Sequence, residues 1–205
     1  YNPLGEDFSI MRTTTLNGML NSISTNYNRR NEEAALFEIG KIFIPKALPL
    51  TELPYEPKKL TIGMYGKDTD FFTIKGIIEH LFDVLGISEK AEFNPQSDIT
   101  WMHPGRTAEI YINGENAGYV GEIHPTVADN YSIETRVYFA VVDFEALVNN
   151  ACLVAEYKPL PKYPAITRDI SMVINDKVFV KDIEKSIKEN GGNLIESVKL
   201  FDVYQ

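Results

Sequence analysis

Cysteine is nearly missing from this 205-residue chain: Cys152 stands alone, so no intramolecular disulfide can form. The expected role for a lone cysteine is that of a small buried hydrophobe, which suits a reducing cytoplasm. Histidine is also sparse. His80, His103 and His124 show no zinc-ligand spacing and have no cysteine cluster to help them. Basic charge is short too: 20 Lys and Arg stand against 29 Asp and Glu, for a net charge of −9. A stand-alone nucleic-acid binder usually carries a basic footprint. Any RNA contact must therefore come from a local patch or from parts outside this sequence. The longest apolar run, residues 137–142, is far below the roughly 20 residues that cross a bilayer, so no membrane role is expected. No opening segment has the pattern of a signal peptide. The chain starts at Tyr1 rather than Met, and the expectation is an excised piece of a longer protein. Neither G-x-S-x-G nor G-x-x-x-x-G-K occurs, so there is no hydrolase elbow and no phosphate-cradling loop.

What is present is ordinary for a globular protein: 44% hydrophobic, 24% charged and 11% aromatic residues. Residues 11–27 have a helical stripe, with Leu16, Met19, Leu20, Ile23 and Tyr27 on one face. Residues 35–44 predict a strand, and 45–59, with four prolines, a loop. A strand is expected over 60–65. A helix is expected over 71–85, where Ile74, Ile77, Ile78, Leu81 and Leu85 make the stripe and Gly86 stands at the left-handed cap position. Ala108, Ile110 and Ile112 alternate with polar neighbours up to Asn113-Gly114, and 117–123 returns: a β-hairpin. A short helix over 125–130, a strand over 137–144 and a brief helix over 144–151 follow. The strand's unbroken apolar run is that of a strand buried on both faces.

The texture then changes. Residues 158–164 hold three prolines and predict an extended linker. Beyond it, 166–174 predicts a strand, 180–190 a helix with Ile183 and Ile187 on one face, and 195–204 a strand. Strand, helix and strand make one β-α-β unit, half of a split β-α-β ferredoxin-like domain, truncated at Gln205.

One polar cluster stands out. His103-Pro104-Gly105-Arg106-Thr107-Ala108-Glu109 leads into the hairpin, and Gly118 to Pro125 ends it. Arg106 has the fork to hold a carboxylate or phosphate, and Glu109 and Glu122 the charge to take an amine. The simpler reading, and the one preferred on the residues alone, is a solvated or interface face with ordinary salt bridges.

Several short motifs then align in order. Asn2-Pro3-Leu4-Gly5-Glu6-Asp7 with Met11-Arg12-Thr13, Leu36-Phe37-Glu38-Ile39-Gly40-Lys41-Ile42-Phe43 and Asp70-Phe71-Phe72-Thr73-Ile74-Lys75-Gly76 resemble the synthetase-like core of bacterial phenylalanine–tRNA ligase β subunits. His103 to Ala108 and Gly121-Glu122-Ile123-His124-Pro125 resemble that core's hairpin. Tyr163-Pro164-Ala165-Ile166-Thr167-Arg168-Asp169 and Phe201-Asp202-Val203-Tyr204-Gln205 resemble the family's C-terminal ferredoxin-like anticodon-binding domain. The resemblance implies an α+β fold. A degenerate class II aminoacyl-tRNA synthetase-like antiparallel sheet with flanking helices would occupy 1–155, and a truncated ferredoxin-like β-α-β unit 156–205. It implies a cytoplasmic α2β2 enzyme that joins phenylalanine to its tRNA with ATP and magnesium. Catalysis would lie in the α subunit, and this piece would need no cofactor of its own. In keeping with a degenerate copy, no G-x-G-x-x-x-R is present to grip a nucleotide. The expected tRNA-phosphate contacts are Lys162, Arg168, Lys181, Lys185, Lys188 and Lys199, of which Lys181, Lys185 and Lys188 share one helical face. Two other readings stand beside this one: a stand-alone ligase acting on an amino acid, and a regulatory module that binds a small molecule.

Overall fold

Six strands pair, every neighbour antiparallel, into one sheet: β1 (Ala34–Lys41), β2 (Lys58–Tyr65), β3 (Ala91–Asn94), β4 (Met102–Ile112), β5 (Glu115–Ile123) and β6 (Tyr138–Asp143). Their spatial order is β1-β2-β6-β5-β4-β3. The computed structural model describes residues 5–6, 9–95, 97–154, 157, 162–175 and 178–204. Most of the expected linker, and the expected division at 155/156, lie outside the described residues. The chain divides into two compact units, 1–156 and 157–205.

In the first unit, side chains alternate across the sheet and feed two separate cores. On one face, α2 (Phe71–Val84) and α4 (Phe144–Asn150) cover Leu60, Met64, Ala108, Ile110, Val120, Ala140 and Val142. On the other, α1 (Leu16–Asn28) and α3 (Pro125–Asn130) cover Tyr65, Met102, Ile123 and Phe139. Strand β6 supplies both cores, and residues 138–142 are all buried. This is the strand whose apolar run predicts burial on both faces.

Local chemistry sets the element ends. The Asp70 carboxylate accepts from the Thr73 N–H at 2.7 Å and the Thr73 hydroxyl accepts from the Asp70 N–H at 3.2 Å, closing a capping box on α2. Gly86 follows the helix with φ of +67°. Asn113 and Gly114 turn the β4–β5 hairpin with φ of +52° and +80°, the two positive values a two-residue turn of this hand requires.

Several expectations need correction. Helix α1 begins at Leu16, not at residue 11, because the backbone before it is engaged elsewhere: the Phe43 N–H donates to the Arg12 carbonyl at 2.9 Å. Strand β3 is an addition; at four residues it is too short to show alternation. Cys152 is exposed rather than buried, because its backbone is the attached part, donating its N–H to the Leu85 carbonyl at 2.8 Å.

The second unit contains α5 (Val180–Gly191), as expected over 180–190. The strands expected over 166–174 and 195–204 do not form among the described residues, which run there without ladder hydrogen bonds. In a split β-α-β unit the two strands are not neighbours, and a strand of the second half runs between them. Each therefore lacks its pairing partner within this sequence.

Two glycines of the first unit respond in opposite ways to an added methyl. At Gly63 a Cβ would sit 2.9 Å from Met19 Cγ and 3.0 Å from the Phe139 ring, all within the α1-side core. At Gly76, in exposed helical backbone of α2, it would meet nothing within 4 Å. We expect Gly63→Ala to destabilise by about 1–3 kcal/mol through overpacking. Gly76→Ala should stabilise by about 0.5–1 kcal/mol through reduced backbone entropy. Equilibrium urea unfolding of the two variants beside the parent measures both.

Candidate functional site

Helix α1 packs on β1 and β2, and the same sheet face remains open farther across, over β2, β6 and β5. The open part holds a cavity of about 310 Å³. Strand register composes its floor: Tyr119 lies opposite Val141, and Asp143, two residues on and on the same face, lies opposite Lys59. Gly118, with φ of +146°, lets β5 lie close to β6, since a Cβ there would overlap the Val141 carbonyl oxygen. Trp101 and Thr13 to Thr15 complete the walls.

The charged groups of this face are matched in pairs. Lys59 Nζ donates to Asp143 Oδ2 at 2.8 Å, and both side chains are three-quarters buried. Asp143 Oδ1 accepts from the Ala146 N–H at 3.0 Å and so caps α4. Burial pushes the Asp143 carboxyl up, but the Lys59 hydrogen bond, the Ala146 N–H and the lysine charge together outweigh it and hold it below its ordinary value. Nearer β1, Arg12 Nη2 lies 2.6 Å from Glu38 Oε1, and its Nε donates to the Lys41 carbonyl at 2.8 Å. On the other face of the sheet Lys41 meets Glu56 at 3.0 Å. The Trp101 and Tyr119 rings stand edge to face, 6.2 Å apart, with Trp101 Nε1 3.4 Å from the Tyr119 hydroxyl. Burial raises the Tyr119 phenol, and the Trp101 hydrogen bond partly offsets this.

The polar cluster singled out in the sequence does not converge on one ligand. Arg106 Nη1 donates to both oxygens of Glu122, at 3.0 and 3.2 Å, and Arg136 Nε adds a longer contact at 3.9 Å. Glu122 is buried, so the carboxylate that Arg106 holds is the chain's own. Glu109 accepts from the Tyr111 hydroxyl at 2.7 Å, and its register partner Tyr119 belongs to the α1-side face. Glu122 pairs in register with Tyr138 of the opposite core. The two carboxylates therefore sit on opposite faces and cannot share one amine. His103 Nδ1 accepts from the Gly105 N–H at 3.1 Å and His124 Nδ1 from the Thr126 N–H at 3.3 Å. Among the described residues no His, Cys, Asp and Glu group is placed to hold a metal ion, and no helix is long and apolar enough to cross a membrane.

In the second unit, Lys181, Lys185 and Lys188 are exposed along α5, while Ile183 and Ile187 on another face are less so. Lys185 lies 3.9 Å from Glu189. Lys162, Arg168 and Lys199 are exposed on the non-helical segments before and after the helix. The helix thus gathers three of the six candidates. The Lys59–Asp143 pair is missed by sequence reasoning, since 84 positions separate the partners. The available signal was Asp143 itself, a polar residue ending an apolar run at a helix N-cap.

The description "Phenylalanyl tRNA synthetase beta chain CLM domain" matches residues 1–144, and "Ferredoxin-fold anticodon binding domain" matches 161–205. The chain is 48% identical over 204 residues to the phenylalanine–tRNA ligase β subunit of Clostridium tetani, covering 100% of this chain and 25% of that protein. It is 47% identical to that of Clostridium acetobutylicum, with the same coverage. Against that of Bacillus subtilis it is 35% identical, over 99% of this chain and 26% of that protein. The chain thus spans about a quarter of the length of these relatives. Among solved structures, PylSc of Desulfitobacterium hafniense, a pyrrolysyl tRNA synthetase, superposes with a TM-score of 0.54 at 13% identity, covering 67% of this chain and 47% of that one. This likeness is one of fold.

The depressed Asp143 carboxyl gives a pH prediction. Its contribution to stability is fully present above its unfolded value, ordinarily 3.8, and is lost as pH falls through the lower folded value. Asp143→Asn should therefore unfold with a shallower dependence on pH through and below that point. Urea titrations of parent and variant at stepped pH report the difference, and parallel curves would contradict it.

Proposed function

The chain belongs to the phenylalanyl-tRNA synthetase β-chain family, and we propose that it acts in a phenylalanine–tRNA ligase as scaffold and tRNA contact rather than as catalyst. The observation that carries this reading is the ordered pair of matches, synthetase-like over 1–144 and anticodon-binding over 161–205. The first unit is then a degenerate class II synthetase sheet, and the second, built around α5, a piece of a ferredoxin-like anticodon-binding domain. The intact enzyme is an α2β2 assembly in the cytoplasm that consumes ATP and uses magnesium as a cofactor, both handled by its α subunit. Internal pairing on the sheet face supports the non-catalytic role. Arg12, the cation best placed near β1 to meet a nucleotide, is engaged by Glu38 and the Lys41 carbonyl.

The α subunit docks on the first unit, and the outer strand β1 offers a place. Phe37 and Ile39 point to the same side of β1 and are 74% and 49% exposed, although they lie opposite Ile62 and Leu60 in register. Exposed apolar side chains grouped at a sheet edge mark interaction surfaces. Phe37→Asp combined with Ile39→Asp in the intact β subunit should abolish co-purification with α while leaving the sheet folded by circular dichroism. Undiminished co-purification would move the interface elsewhere.

The tRNA contact falls to Lys162, Arg168, Lys181, Lys185, Lys188 and Lys199, led by the three on α5. Each neutralised phosphate steepens the log–log salt dependence of binding by about 0.7–0.9. Replacing Lys181, Lys185 and Lys188 by Glu in the intact enzyme should weaken tRNA binding and flatten that slope by about 2–3. Filter binding across a salt series measures it. An unchanged slope would place the RNA surface on other residues.

A further inference from the structure

We infer that Asn113 is a site of self-modification: its side chain loses ammonia to attack by the Gly114 nitrogen, and water then leaves an aspartyl or isoaspartyl residue at the tip of the β4–β5 hairpin. Three Asn-Gly steps occur in the sequence: Asn17-Gly18, Asn113-Gly114 and Asn190-Gly191. In all three the glycine leaves the attacking nitrogen without a neighbouring Cβ to shield it. The backbone separates them. Asn17 lies in α1 and Asn190 in α5. Closing a five-membered ring between the side chain and the next nitrogen turns that peptide out of helical φ and ψ. Helix α1 resists the turn because Leu16, Met19, Leu20 and Ile23 fix it in the core. In α5 the step lies inside the helix, which is closed beyond it by the Gly192 N–H bond to the Lys188 carbonyl.

Asn113 and Gly114 lie outside the strand ladder, which ends at the Ile112–Glu115 pair. Both are exposed, and a Cβ on Gly114 would meet nothing within 4 Å, so its nitrogen is open to water and base. The Gly114 N–H gives its proton to hydroxide, and the nitrogen bonds to Asn113 Cγ. The Cγ–Nδ2 bond breaks, and Nδ2 takes a proton from water and leaves as ammonia. Water then opens the cyclic imide at either carbonyl. The change matters to the fold because Asn113 is a tie. Its Nδ2 donates to Asn150 Oδ1 at the end of α4, at 2.5 Å, and its N–H to the Lys90 carbonyl at 2.9 Å. The product sets a carboxylate against the Asn150 oxygen in place of that donor. The isoaspartyl form also adds a main-chain carbon to a turn whose length fixes the strand register. The inference does not depend on α-subunit docking or tRNA contact.

The 205-residue chain is kept at mildly alkaline pH in native buffer and, in parallel, in concentrated guanidinium chloride. Peptides spanning the three Asn-Gly steps are followed by mass spectrometry for the gain that turns an amide into an acid. In native buffer Asn113 should convert severalfold faster than Asn17 and Asn190, and faster still as pH rises. In denaturant, with the helices gone, the three rates should converge. Conversion of Asn17 or Asn190 that keeps pace with Asn113 in native buffer would overturn the assignment. So would an unchanged Asn113 in native buffer while the denatured sample converts there.

Discussion

Strand β6 must be apolar on both faces, and the rest of the first unit is arranged around that requirement. It runs between β2 and β5 at the centre of the sheet. Tyr138, Ala140 and Val142 enter the core under α2 and α4, and Phe139 the core under α1. Fully burying one large apolar side chain is worth about 1.5–3 kcal/mol, and here successive residues collect that gain in opposite directions. The constraint relaxes at the strand's last residue. Asp143 is polar because its position can reach both the first turn of α4 and the Lys59 ammonium. The chemistry of the open face begins where the two-sided burial ends.

Ion pairing across that face serves electrostatics more than stability. Exposed pairs such as Arg12–Glu38 contribute about 0–1 kcal/mol each. Their larger effect is to cancel local fields that would otherwise attract phosphate. Arg106 and Glu122 are different, because the carboxylate is buried. A buried carboxylate deprived of its partner is costly, so this arginine is committed to the chain's own architecture. Two arginines that look available in the sequence are thus occupied for distinct physical reasons, one by a neighbouring strand's side chain and carbonyl, the other by a buried charge.

Local signals made much of the first unit legible. Asn113-Gly114 announced the hairpin, the stripe around Ile74 and Ile78 announced α2, and the run at 137–142 announced the doubly buried strand. What escaped was determined by contacts distant in sequence. The helical periodicity at 11–27 could not reveal that Arg12 spans to Lys41, which delays the helix to Leu16. The β3 strand is too short to show alternation. Lys59 and Asp143 meet only through register, each looking like an ordinary solvated charge on its own strand. The predicted strands at 166–174 and 195–204 had the right composition, but composition does not supply a hydrogen-bonding neighbour. The six candidate basic residues were readable as charges; only the three on α5 were readable as a group.

The sheet divides the first unit's interior into two clusters with separate memberships, one under α2 and α4 and one under α1 and α3. Substitutions that share no partners add independently. Such a partition is a substrate for divergence: one layer can hold the fold while the other accumulates change without compensating repairs across the sheet. A scaffold built this way can lose or exchange the chemistry of its open face over evolutionary time and still fold.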